Sequence, residues 1–219
     1  MVNNKNPAVP YVLPFALFIA ILAVQNVIPV PQILRFVLCL TAIAIFSRPV
    51  LSWRMVSPIA SVLVGIGVFA IWIAPETLIP GYRGFWLFSN FLTGHAVAST
   101  TQVQRVDPFF LTTRVLGSVV TIPILEELFW RGWLMRWLIK RDFRAVPLGS
   151  YQAEAFWTVA VLFAMEHGAY WEVGLIAGVI YNWWMVRTRS LTDCIVAHAV
   201  TNGCLAVWVI TQHQWQYWL

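Results

Sequence analysis

Charge is what this chain of 219 residues has least of: Asp, Glu, Lys and Arg make up 11% of it, against 60% hydrophobic residues. A soluble domain carries about 25% charged residues, so the composition excludes one and predicts a polytopic membrane protein. The net charge of +5 contains no basic run of the kind that grips a phosphate backbone, so no nucleic-acid partner is expected. Cysteine is scarce too. Cys39, Cys194 and Cys204 are odd in number, lack metal-ligand spacing and fall in apolar segments, which reads as packing rather than disulfides or a thiolate site. Internal repeats, low-complexity tracts and a segment polar enough for a soluble domain are all missing.

What is present is a series of apolar runs. Segments of about 17–25 residues place spans near 11–28, 33–47, 57–74, 109–139, 153–167, 170–186 and 191–210. The fold class is therefore all-α, a transmembrane bundle of seven helices, or eight if the long fourth run breaks near Pro123. The N-terminus lacks a small-x-small cleavage site, so an uncleaved first span is expected. Arg48 and Arg54 follow span 2, Arg136, Lys140, Arg141 and Arg144 follow span 4, and Arg187 and Arg189 follow span 6. These three alternate loops can share the cytoplasmic side, with Lys5 putting the N-terminus there as well. The connection 75–108, with its "GFWLFSNFL" at headgroup level, and the tail "TQHQWQYWL" would lie outside, where His95 and His213 read as interfacial or loop residues.

Several acids have structural explanations. Asp107 before Pro108 is an N-cap with proline at the first helical position. Ser190 with Asp193 fits a capping box opening span 7. Glu154 and Glu172 fall in first turns, where the helix dipole favours negative charge.

Glu126, Glu127, Arg131, His167, His198 and Asn202 remain deep in the apolar runs, and an ionised group at mid-bilayer costs at least about 2.5–3.5 kcal/mol. Glu127 and Arg131 are four apart with the acid on the N-terminal side, the favourable order for a helical ion pair. Glu126 projects about 100° away around the helix and is the freer carboxylate, a candidate general base. His198 and Asn202, also four apart, share a face from which both can donate to one developing oxyanion. His167 comes from a third helix, with Phe163 one turn behind it. Such a set suffices for amide hydrolysis inside a membrane, although buried Glu–Arg and His–Asn pairs can also simply hold transmembrane helices together. Arg114 and Glu166 admit either reading.

The motifs "EELFWR" (126–131), "FAMEH" (163–167) and "HAVTN" (198–202) match EExxxR, FxxxH and HxxxN in that order. With the spacer "GLIAGVIYNWWMVRTRSLTDCIVAH", the chain resembles CPBP-family (CAAX protease and bacteriocin-processing) intramembrane proteases. It is similar in particular to the bacterial CAAX-protease-related proteins of PEP-CTERM/exosortase systems. The resemblance covers residues 109–210, leaving 1–108 as N-terminal helices with an external connection and 211–219 as a tail. It implies that Glu126 activates water with help from His167, that Glu127 and Arg131 support the site, and that His198 and Asn202 stabilise the oxyanion. It further implies a membrane-anchored or lipidated protein substrate and a multi-pass location in the bacterial inner membrane. No cofactor is expected. Zinc on Glu126, His167 and His198 is the alternative, set against the absence of HExxH and the better fit of Asn202 to an oxyanion hole. Glu166 departs from the family, which more often has an apolar or small residue there. Rival readings of the same residues are a membrane carrier, for which no inverted repeat is seen, a non-catalytic partner-binding or immunity protein, and a Cys194/His198 thiol enzyme.

Overall fold

The computed structural model describes residues 6–218 apart from Asn26 and Pro29, so the expectation resting on Lys5 lies outside the described residues. Among the described residues seven helices follow one another: α1 (Val9–Val24), α2 (Gln32–Val50), α3 (Pro58–Leu78), α4 (Pro108–Ile139), α5 (Ala153–Met165), α6 (Trp171–Thr188) and α7 (Leu191–Thr211). Helices α2, α3, α4 and α7 are long and apolar enough to cross a membrane, making this an integral membrane protein. Helices α1 and α5 are apolar but shorter. At 1.5 Å per residue, α5 reaches about 20 Å, short of a hydrocarbon core of about 30 Å.

Helix α4 does not split at Pro123. Two π segments, Gly117–Thr121 and Leu128–Leu134, interrupt its α-helical geometry, and the chain stays helical throughout. Proline lacks an N–H, and the wider π turn immediately before it absorbs that loss.

Helices α3 and α7 run side by side and make the most extensive helix pairing in the bundle. Gly65 permits it: a Cβ there would stand 2.7 Å from Val200 Cβ. Asp193 fixes the shared end, accepting from Val56 N (2.8 Å), Ser57 N (2.7 Å) and Ser61 Oγ (2.9 Å). The expected capping box is thus half made. Ser190 does accept from Asp193 N, but the Asp193 carboxylate is drawn to the unpaired N–H groups that open α3. Asp107 caps α4 through Phe109 N as expected, and Glu172, in the first turn of α6, also pairs with Arg83 at 2.7 Å.

The basic loops gather at one end of the bundle. Thr192 bonds Ser52 O, Gly149 packs on Met185 and Arg189, and Ser47 Oγ reaches Pro10 O at 2.6 Å. Arg136, counted above with loop charge, is instead inside α4 and buried, donating to Gly132 O and Val146 O. The 75–108 connection and the tail meet at the other end, where Ser99 N and Oγ both donate to Trp218 O.

Candidate functional site

A cavity of about 290 Å³ lies among the helices. Its wall carries Glu126 from α4, Glu166 and His167 from the end of α5, and His198 and Asn202 from α7. Glu127 and Arg131 stand behind that wall, both fully buried.

Behind the wall, Glu127 Oε2 has no hydrogen-bond partner among the described residues, and the other polar groups of the pair are matched. Arg131 Nη1 donates to Glu127 Oε1 at 3.1 Å, Nε to Asn182 Oδ1 at 2.8 Å and Nη2 to Gly178 O at 3.3 Å. Asn182 passes the chain on to Phe156 O at 2.8 Å. The guanidinium also lies 4.6 Å from the Phe163 ring centroid and 5.5 Å from that of Tyr181. His198 Nδ1 sits 3.0 Å from the same Glu127 Oε1. Glu127 therefore holds both Arg131 and the imidazole, an arrangement that fixes the ring's orientation. Tyr181 stacks on His198 at 5.1 Å with planes 22° apart, and its hydroxyl donates to Thr201 Oγ1 at 2.7 Å.

On the cavity side, Glu126 is 6% exposed and its Oε2 has no hydrogen-bond partner among the described residues. That oxygen lies 3.9 Å from His198 Nε2. Glu166 comes up beside Glu126. His167 donates Nδ1–H to Phe163 O at 2.7 Å, which leaves Nε2 as an acceptor. Gly174 makes room for its ring, since a Cβ there would stand 3.2 Å from His167.

Asn202 is positioned by an absence. In the π segment Ile122 N–H bonds Gly117 O, five residues back. The next bond in that pattern would run from residue 123 to Ser118 O, but residue 123 is proline. Asn202 Nδ2 donates to the orphaned carbonyl instead, at 2.8 Å. One amide hydrogen is used there and the second remains for a ligand.

The six candidate residues thus converge, four on the cavity and two directly behind it. Counting residues from the basic helix ends puts Glu126 about 20 Å deep and His198 about 11 Å deep. Their contact shows that those ends are not level. Spacing alone missed Gly178, Tyr181 and Asn182, although Gly174, Gly178 and Asn182 recur every four residues on one face of α6. Cys194 Sγ faces Tyr181 O and Met185 Sδ, away from the cavity wall, which gives a thiol enzyme no geometry. Among the described residues no three His, Cys, Asp or Glu side chains are grouped to hold a metal ion, the set Glu126, His167 and His198 included.

A family model described as type II CAAX prenyl endopeptidase Rce1-like matches residues 108–204. No curated protein and no solved structure matches the chain. The matched segment contains all six candidate residues together with the α6 face that supports them. Over residues 108–204, less than half of its length, the chain is therefore similar to the type II CAAX prenyl endopeptidases that this model describes.

Proposed function

We propose that this protein is a glutamate-type intramembrane endopeptidase acting on a membrane-anchored or lipidated protein. The observation that carries the reading is the contrast between two adjacent carboxylates. Each leaves its Oε2 unbonded among the described residues, but Glu127 lies behind the wall with Oε1 held by Arg131 and His198, while Glu126 faces the cavity.

In this reading Glu126 takes a proton from a water whose oxygen attacks the scissile carbonyl carbon. His167 Nε2 accepts the water's second hydrogen and aims its lone pair. The oxyanion receives the free amide hydrogen of Asn202. His198 Nε2 faces the same side, with Nδ1 set against Glu127 Oε1, and donates to the oxyanion when it carries a proton. As the C–N bond breaks, Glu126 returns its proton to the departing amine, leaving a new carboxyl group and a new amino group. Residues 109–210 supply these groups. Residues 1–108 contribute a cavity wall through Phe18, Phe36 and Trp72.

The test compares membrane-protein termini by mass spectrometry in cells carrying wild type or Glu126→Ala at equal protein levels. A terminus found only with wild type is the expected outcome. Identical termini would sink the reading in favour of a carrier or partner-binding role. No cofactor enters the scheme, so cleavage by the purified protein should survive a chelator of divalent ions, and loss restored by zinc would overturn that part.

A further inference from the structure

His167 stands past the end of α5, which closes at Met165, on the short turn that leads into α6. A residue beyond a helix end is held loosely by the helix itself, so a ring that must keep one direction needs another restraint. The 75–108 connection supplies it. Arg83, which precedes the segment matched by the family model, is 7% exposed. Its Nη1 donates to Ala169 O at 2.6 Å and to Glu172 Oε2 at 2.9 Å, and its Nη2 lies 2.7 Å from Glu172 Oε1. The guanidinium also lies 4.1 Å from the Tyr170 ring centroid. One side chain thus touches residues 169, 170 and 172 together.

Two further contacts join the same segments. Trp171 Nε1 donates to Leu87 O at 3.3 Å. Gly168, with a φ of +52°, lies so close to the connection that a Cβ there would stand 3.0 Å from Thr93 O. From the turn the restraint reaches the imidazole by two routes. Along the backbone, Tyr170 N donates to His167 O at 2.9 Å. Through the side chains, Trp72 of α3 packs on both rings, near parallel to Tyr170 (6.3 Å, 16°) and edge-on to His167 (5.1 Å, 69°). A buried ion pair adds little net stability over apolar packing. What the Arg83 fork adds here is a fixed position for the turn.

We propose that Arg83 is a positioning residue for His167, locking the α5–α6 turn so that the imidazole is presented to the cavity and to the attacking water. This rests on the endopeptidase reading, which gives His167 that water. It assigns the N-terminal half of the chain a part in the chemistry, exerted from outside the cavity through a turn that Arg83 grips and His167 shares.

The first readout needs no substrate. Full-length protein in detergent is treated with diethyl pyrocarbonate, and carbethoxylation of its four histidines is timed by mass spectrometry. Arg83→Met should speed modification of His167 severalfold and leave His198 and His213 as in wild type. The second readout is hydrolysis of the peptide whose new terminus marks the wild type. Arg83→Met should lower kcat by about 10- to 10²-fold, the scale of a displacement of up to about 1 Å, with KM unchanged. Arg83→Lys, which keeps a charged donor, should recover part of that loss. In a His167→Ala background Arg83→Met should lower kcat no further, because a residue acting through His167 has nothing left to act on. Where Arg83→Met does not accumulate, Arg83→Met/Glu172→Gln takes its place, since it removes both charges and leaves neither buried alone. Unchanged reactivity of His167, a parallel rise at His198 and His213, or an equal further loss of kcat in the His167→Ala background would each overturn the assignment. Failure of the endopeptidase reading shows separately, as identical termini with wild type and Glu126→Ala, and the reactivity of His167 still decides whether Arg83 holds it.

Discussion

Helix α4 carries a carboxylate on each of two faces. On the inner face Glu127 shares Oε1 between Arg131 and His198, and Arg131 goes on to Asn182 and Gly178. On the cavity face Glu126 has His198 at 3.9 Å and Glu166 beside it, with Oε2 unbonded. A single residue step, about 100° around the helix axis, separates a group used to hold the bundle together from one left available to a ligand. The inner face fixes geometry so that the outer face can present a carboxyl oxygen to the cavity.

The largest test of that division exchanges each acid for its neutral isostere. Glu126→Gln should lower turnover by about 10²–10⁴-fold, the range for losing a positioned general base, and leave the melting temperature in detergent unchanged. Glu127→Gln should do the reverse first. It leaves the fully buried Arg131 without its anion, a loss of about 3–5 kcal/mol, seen as a large fall in melting temperature. If both variants melt like wild type, the inner face is not the support inferred for it. If Glu126→Gln alone unfolds the protein, the two faces have been assigned the wrong way round.

How much of this division the sequence carries depends on whether partners lie on one helix or on several. Glu127–Arg131 and His198–Asn202 are legible because both members sit four apart on one helix. So is the Asp107 cap, which involves only adjacent residues. The partners of Asp193 are not legible, since Val56, Ser57 and Ser61 are some 130 positions away and reach it only through the α3–α7 packing. The His198–Glu127 contact is hidden for the same reason. Counting depth along single helices even argues against it, because the ends are not level. Pro123 points to a break that the structure replaces with a π turn, since a proline can be absorbed by an extra residue in the turn before it.

Pro123 gives the second test, aimed at the cavity face. Pro123→Ala restores an N–H that can bond Ser118 O and release Asn202 from it. Displacing an oxyanion donor by about 1 Å can cost on the order of 10²-fold, so turnover should fall by about that much while the helix keeps or gains stability. A variant that loses stability and activity together would show that the proline shapes the whole of α4 rather than one carbonyl.

The smallest effect is expected at Tyr181, which reaches both faces: its ring stacks on His198 at the cavity, and its hydroxyl donates to Thr201. Thr201 in turn donates to Gly65 O at 2.8 Å, at the closest approach of α3 and α7. Tyr181→Phe keeps the ring and removes the hydroxyl. Thr201 loses one donor but keeps its own bond to Gly65, so the cost should be near the ~1 kcal/mol of a single hydrogen bond, with turnover within a few-fold of wild type. Tyr181→Leu removes the stacked ring as well and frees the imidazole to tilt, so turnover should fall further than stability does. Equal turnover in the two variants would mean that the Glu127 contact alone orients His198, and would confine support of the cavity to the inner face of α4.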